Sequence, residues 1–395
     1  IIMGCEFMHD IPFEKVLIHG IVRDRYGKKM SKSLGNVVDP LAITAHYGTD
    51  ALRYTLIASA VPGRDLQLAE DSFIGARNFT NKLWNASRFI LMNLTDYDSS
   101  CTIKADDFEL TDQWILHRYA VSMDEMYRHL NEYNLAQICR VIHGFFWKDF
   151  CDWYIELAKP RLQGTDAARK QTVQHVLAYI MEGLLKTLHP VMPFVTEELW
   201  HLLHETIDKK STKQSNASIM QTELPADYQP YLAYRDVEPV MNTLQEMITG
   251  IRNIRSEMRI APGSKINIHI KIRSDATAKA VEYARPFFVH FARVNEMVVG
   301  RNINKPAQSA TVVVGDNEVF IPLKGIIDID KEKTRLSQEL NELKEEITRN
   351  QKKLENKNFV TRAPEKEVEK VRMRIQGLRD KQTKIQSNIK GLTHE

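Results

Sequence analysis

The chain has 395 residues and a formal net charge of +3, and its 43% apolar and 27% charged residues exclude a disordered protein and indicate a folded globular one. This length exceeds one ordinary hydrophobic core, so we expect about two to four domains. No apolar run approaches the roughly 18 residues that a membrane span needs, and residues 1–4 lack the basic leader of a signal peptide.

Metal ligands are sparse in the sequence. His201 and His204 lie near two glutamates but have no third partner, and the cysteines form no CxxC pair, so we expect no metal site. Isolated thiols are typical of proteins in a reducing cytoplasm. The four cysteines are Cys5, Cys101, Cys139 and Cys151.

The first 65 residues have the pattern of the end of an α/β unit. The apolar run at 16–22 predicts a buried strand. Pro40 can open one short helix, and Thr49-Asp50 can cap a second one at about 50–60. Pro62-Gly63 marks a break before the next region.

Between this strand and the first short helix lies the segment Lys29-Met30-Ser31-Lys32-Ser33, followed by Leu34-Gly35-Asn36. Two lysines with hydroxylic neighbours on a glycine-flanked loop are typical of a mobile clamp for phosphates. A lysine there can follow negative charge as it develops on a leaving pyrophosphate, which stabilises the transition state. A surface loop can carry the same residues by chance, so the rest of the chain has to decide between these interpretations.

Residues 66–225 have the apolar periodicity of helices. Short connections between these helices favour an antiparallel bundle, and a polar stretch at 207–219 predicts a loop. Trp147, Trp153 and Trp200 occur among other apolar residues and are expected in the core. The predicted helices lie at about 71–93, 110–131, 134–158, 166–188 and 194–206.

Residues 226–325 mix helical and strand patterns and predict a small α+β module. A helix at about 236–258 precedes the strict alternation of residues 266–272, which is typical of a strand. Further strands are expected near 310–314 and 318–323, with helices within 275–291.

The C-terminal residues 326–395 repeat apolar residues at spacings of three and four, which is the pattern of a coiled coil. Pro364 interrupts the pattern, because it can begin a second helix but cannot continue the first. Two helices of about 27 residues each are therefore expected to form an antiparallel hairpin. Within 349–384 twelve Lys and Arg oppose five Asp and Glu, so positive charge is concentrated where a polyanion would bind.

Seven motifs follow one another along nearly the whole chain, at residues 29–36, 39–40, 47–53, 76–85, 152–156, 189–200 and 357–364. In this order they resemble class I aminoacyl-tRNA synthetases, and within that class they are most similar to the valyl-tRNA synthetase family. The coiled coil and the lack of C-terminal cysteine ligands favour valine over the isoleucyl and leucyl families, which stay alternatives together with a non-catalytic tRNA-binding protein.

The resemblance implies a multidomain, mostly α fold in four parts. These are the end of the class I nucleotide-binding fold at 1–65, an anticodon-binding helix bundle at 66–225, a small α+β linker module at 226–325 and a coiled-coil tRNA-binding arm at 326–395. The family's nucleotide fold begins upstream, so the His-x-Gly-His half of the active site and the editing domain are expected to lie outside this chain.

The implied reaction uses ATP with Mg²⁺ to attach valine to its tRNA through an aminoacyl-adenylate. Because this chain carries half of the implied active site, we expect it to form no adenylate by itself. We also expect a monomer located in the cytoplasm.

The resemblance assigns the catalytic contact with ATP to Lys29 and Lys32, of which Lys32 is the stronger candidate. Ser31 and Ser33 either bind the phosphates or shape the loop. His19 and Gly20 are implied beside the adenine, and a structural role of His19 is equally open. tRNA binding is expected on one helix face and on the basic arm, at Asn78, Asn81, Lys82, Asn85, Arg349, Lys353, Lys357, Arg362, Lys366 and Arg372.

Overall fold

The computed structural model describes residues 1–207, 218–356 and 364–393 and is mostly helical, as the sequence predicts. The predicted loop at 207–219 lies almost entirely outside these ranges. The chain divides into two compact units, residues 1–238 and 239–395. Within the described ranges, no helix is both long and apolar enough to cross a lipid bilayer.

The first unit begins with short elements around the lysine loop. Strand β1 (Val22–Arg23) pairs in parallel with β2 (Leu66–Gln67), so the strand predicted at 16–22 is wrong except for its last residue. A strand needs a hydrogen-bonded neighbour, and residues 16–20 pair with no strand in the part of the chain that the structure describes; Ile18, for example, is 80% exposed. The elements are α1 (Ile2–Met8), β1 (Val22–Arg23), α2 (Pro40–Tyr47), α3 (Thr49–Ser59) and β2 (Leu66–Gln67).

The helix bundle of the first unit agrees with the predicted helices to within a few residues. The exception is the helix predicted at 134–158, which is a longer helical run with a π-helix at Phe145–Tyr154 in its middle. The remaining elements are α4 (Glu70–Asn93), α5 (Leu110–Asn131), α6 (Leu135–Gly144), α7 (Ile155–Leu162), α8 (Ala167–Leu188) and α9 (Pro193–Ile207).

The π-helix follows from its aromatic residues. Phe145 and Phe150 are five residues apart, both are buried, and their rings stack at a centroid distance of 6.2 Å. In an α-helix, positions five residues apart point to different faces, whereas i→i+5 bonding brings them to the same face. The wider turn thus turns both rings into the core, and apolar periodicity alone does not predict it.

A buried ion pair joins α5 to α7. The two terminal nitrogens of Arg161, Nη1 and Nη2, donate to Asp112 at 2.6 and 2.8 Å, and the hydroxyl of Tyr154 donates to the same carboxylate at 2.6 Å. Asp112 is completely buried. The carboxylate is therefore satisfied entirely by protein donors, as a buried charge requires.

The second unit contains four strands, β3 (Ile266–Lys271), β4 (Val294–Gly300), β5 (Ser309–Val314) and β6 (Asn317–Pro322), which form one sheet of order β4-β3-β6-β5. Strands β3 and β4 are parallel, while the other two pairs are antiparallel. Strand β4 escaped prediction because its buried residues Val294 and Met297 are three apart, which breaks the alternation of an ordinary strand. The helices are α10 (Val237–Glu257), whose first two residues belong to the first unit, α11 (Asp275–Tyr283) and α12 (Arg285–Ala292).

Two long helices, α13 (Ile329–Glu355) and α14 (Glu365–Thr393), form the predicted hairpin. Ion pairs Glu346–Arg374 and Glu339–Lys381 run in opposite sequence directions, so the helices are antiparallel. Asn350 also lies in the apolar seam, 8% exposed, and its amide donates to the Glu346 carbonyl at 2.9 Å. The buried seam residues include Leu336, Leu343, Ile347, Val368, Ile375, Ile385 and Leu392.

Candidate functional site

The lysine loop, residues 24–36, is held in shape by two of its own side chains. The Asp24 carboxylate accepts the backbone N–H groups of Tyr26 and Lys28, each at 2.9 Å. The Asn36 amide donates to Asp24 at 2.9 Å and accepts the Ser31 N–H at 3.0 Å. The hydrogen bonds that Asp24 accepts hold the pKa of its carboxyl group below its usual value, and the bond from Asn36 has the largest effect. Asn36 therefore ties the two ends of the loop together.

The two lysines of this loop point outward from that frame. Lys29 and Lys32 are exposed, and neither forms an ion pair with any residue that the structure describes. Lys32 begins a short 3-10 turn (Lys32–Leu34). Gly35 follows it, with a φ of 63°, the left-handed conformation that glycine adopts readily. The hydroxyls of Ser31 and Ser33 are 3.1 Å apart and bond to each other. The loop thus presents two available cations on a shaped backbone.

The N-terminal end of the lysine loop is anchored to the segment before α4. A Cβ on Gly20 would lie 2.0 Å from the Arg64 carbonyl oxygen, so only glycine allows this close approach. Asp65 accepts the Ile21 N–H at 2.9 Å and the Arg23 Nε–H at 2.5 Å. The structure therefore gives Gly20 a packing role. His19 is exposed, and its Nδ1 lies 2.9 Å from the Gly20 carbonyl oxygen.

Helix α4 presents the predicted amide-bearing face. Asn78, Asn81 and Asn85 are all exposed, and their side chains have no hydrogen-bond partner among the described residues. Lys82 lies on the same face but is engaged: its Nζ pairs with Asp152 at 3.1 Å and lies 5.0 Å from the Trp147 ring centroid. Three of the four predicted residues are therefore available donors and acceptors, whereas the Lys82 ammonium group is already engaged by Asp152 and Trp147.

Aromatic side chains border this face. Trp84, on α4 itself, is 41% exposed. Trp147 is half-buried and stacks on His143, with ring centroids 5.5 Å apart. The core positions predicted for Trp147 and Trp153 are thus only partly right, whereas Trp200 is buried. Trp84 counts among the apolar residues that predict α4 and was not singled out for binding. The structure places it outside the buried stripe of that helix, and its offset from the buried positions was the signal that could have shown its exposure.

The arm, formed by α13 and α14, carries both available and paired cations. Arg349, Lys353 and Lys366 are exposed and have no ion-pair partner among the residues described. Arg372 pairs with Glu369 at 3.5 Å on the same helix. The predicted residues Lys357 and Arg362 lie outside the described residues.

No group of three His, Cys, Asp or Glu side chains suited to a metal ion occurs in the described part of the chain. His201 pairs with Glu197 at 3.1 Å.

Three family profiles match the chain in order. They are described as tRNA synthetases class I (I, L, M and V), at residues 1–69, anticodon-binding domain of tRNA ligase, at 112–271, and valyl tRNA synthetase tRNA binding arm, at 328–393. The valine–tRNA ligase of Syntrophotalea carbinolica is 42% identical over 392 residues, which are 99% of this chain and 43% of that protein. That of Bacillus subtilis is 38% identical, over 92% of this chain and 40% of its own length.

The chain thus spans less than half the length of these curated relatives. Among solved structures, LeuRS of Agrobacterium radiobacter K84, in a ternary complex with tRNA and LeuAMS, is 20% identical. The match covers 58% of this chain and 27% of the LeuRS chain, with a TM-score of 0.44.

Proposed function

Because this chain corresponds to the C-terminal portion of the valyl-tRNA synthetase family, we propose that it supplies the phosphate loop and the tRNA-binding surfaces of an enzyme that attaches valine to its tRNA. In that reaction valine and ATP form an aminoacyl-adenylate and pyrophosphate, and the acyl group then moves to the tRNA 3′ end. The arm profile supports valine rather than isoleucine or leucine as the amino acid.

The lysine loop fits the phosphates of ATP. Lys29 and Lys32 would hold them with available ammonium groups, and ATP, accompanied by Mg²⁺, supplies the leaving pyrophosphate. Ser31 and Ser33 already bond to each other, which supports a role in shaping the loop. His19, exposed at the end of the anchored segment, remains available for the adenine.

The α4 face fits the unpaired bases of an anticodon loop. RNA loops are recognised by hydrogen bonds to base edges and by stacking on aromatic side chains. Asn78, Asn81 and Asn85 offer such hydrogen bonds, and the exposed Trp84 offers a stacking surface. This available amide row beside an exposed indole is the observation that carries the proposal.

The arm supplies contacts of a different kind. Three cations of the arm are available, Arg349, Lys353 and Lys366. They suit ionic contacts with RNA phosphates, and such contacts carry no sequence information. We therefore propose that the bundle discriminates between tRNAs and that the arm adds sequence-independent affinity.

We also propose a cytoplasmic monomer. Burial raises the pKa of the Cys139 and Cys151 thiols to about 12, so little reactive thiolate forms, and all four cysteines are free, which fits a reducing compartment. Size-exclusion chromatography with light scattering measures the oligomeric state.

The test is binding of this chain to transcripts of valine tRNA and isoleucine tRNA, compared side by side. We expect the valine tRNA to bind more tightly, and the variant Asn81→Ala/Asn85→Ala to lose that preference while it keeps salt-sensitive affinity. Asn131→Ala removes an exposed amide from α5 and serves as the control, with the preference intact. Equal binding of both tRNAs by the parent chain would place discrimination elsewhere.

A further inference from the structure

The turn between α8 and α9 is bound from outside by α3. The Asp50 carboxylate accepts the backbone N–H groups of Phe194 at 3.2 Å and Val195 at 2.7 Å. These groups lie in the first turn of α9, where a helix has no internal acceptors and where its dipole favours an anion. Asp50 is only 7% exposed, so its carboxylate needs these protein donors for its hydrogen bonds.

Arg53 binds the same turn one helical turn further along α3. Its Nε donates to the Val191 carbonyl at 3.2 Å, and its Nη2 donates to the Pro190 carbonyl at 3.0 Å. These carbonyls follow the end of α8. Asp50 and Arg53 therefore bind both sides of this turn: Arg53 binds backbone carbonyls that follow α8, and Asp50 binds backbone N–H groups at the start of α9.

Helix α3 is also the support of the lysine loop. From the loop the chain passes directly into α2, whose N-terminus Asp39 caps by accepting the Leu41 N–H at 3.0 Å, and from α2 into α3. The other end of the loop is bound by Asp65, which lies between α3 and α4. Both ends of the loop are thus attached to chain that flanks α3.

We propose that Asp50 and Arg53 are positioning residues, which form a joint that holds the lysine loop in a fixed place on the helix bundle. The joint would keep the loop lysines and the tRNA bound on α4 in one geometry, and this inference rests on the proposed function. The joint also explains why the segments 47–53 and 189–200 contain residues to which neither ATP binding nor tRNA binding assigns a role. Neither Asp50 nor Arg53 touches substrate in this role.

Hydrogen exchange of the full chain, resolved by peptide, tests the joint. Arg53→Met removes both donors and keeps the aliphatic stem, and Arg53→Lys restores a cationic donor. Arg169→Met is the matched control, since Arg169 makes a two-bond contact with Glu109 inside the same bundle. Each variant is measured free and with valine tRNA transcript, with its tRNA affinity determined in parallel.

For the free chain we expect Arg53→Met to accelerate exchange in residues 24–47 about tenfold, as two lost hydrogen bonds imply. Exchange in α5 should stay at the parent rate, and Arg53→Lys should lie in between. Bound tRNA should slow exchange in the loop of the parent chain but not of Arg53→Met, although both bind tRNA equally.

Two results would overturn the inference: unchanged loop exchange in Arg53→Met, or the same acceleration in Arg169→Met, which would show general destabilisation. A parent chain without tRNA affinity would instead refute the proposed function, and the free-chain comparison would still decide whether Arg53 holds the loop.

Discussion

The cations of the arm fall into two sets, and removing equal charge from each set should affect tRNA binding differently. Arg349 and Lys353 are exposed and available. Arg374 and Lys381 are paired with Glu346 and Glu339, at 2.6 and 2.9 Å. We compare Arg349→Gln/Lys353→Gln with Arg374→Gln/Lys381→Gln, since each double variant lowers the net charge by the same amount.

The expected magnitude follows from counterion release. Each phosphate contact adds about 0.7–0.9 to the slope of log affinity against log salt, so losing two contacts lowers the slope by about 1.4–1.8. Between 50 and 200 mM salt, this difference corresponds to about 7–12-fold in affinity. The paired double variant should keep nearly the parent slope, because its cations are already neutralised by carboxylates.

Fluorescence titration of labelled valine tRNA across a salt series measures both slopes, and circular dichroism confirms that the hairpin is folded in each variant. Equal loss of slope in the two variants would show that only the net charge of the arm matters. The division into available and paired cations would then be refuted.

Two further predictions concern the core and the catalytic step. Arg161→Met leaves the carboxylate of Asp112 buried without its cation, so the free energy of unfolding should fall by about 3–5 kcal/mol. Urea denaturation measures this change, and a loss under about 1 kcal/mol would contradict the prediction. The chain alone should show no valine-dependent ATP–pyrophosphate exchange, because its sequence contains no His-x-Gly-His signature; measurable exchange would refute the need for that signature.

The sequence predicts the helical parts of the fold well because their information is local. The apolar period of α4 and the heptads of α13 and α14 each lie within one segment, and Pro364 marks the interruption. Strand β1 is different, since its length depends on a partner more than forty residues away. The exposed run before it has the composition of a strand but no partner in the described chain.

The candidate sites divide in the same way. Periodicity places Asn78, Asn81 and Asn85 on one face of α4, and the structure agrees. The pairing of Lys82 with Asp152 joins residues seventy positions apart, and no local pattern contains it. A site residue can therefore be predicted by position, while its availability depends on contacts between distant segments.

The arm shows the consequence for charge. The excess of positive charge was counted within residues 349–384 only, so it omits carboxylates elsewhere in the chain that form ion pairs with these cations. Lys384 pairs with Glu257 at 2.6 Å, and Lys381 and Arg374 pair with Glu339 and Glu346, so carboxylates from elsewhere in the second unit neutralise three of these cations. The available cations Arg349, Lys353 and Lys366 lie instead toward the ends of α13 and α14 that are nearest to each other in sequence. Because paired charges attract a polyanion weakly, the RNA backbone should be drawn to that end of the arm.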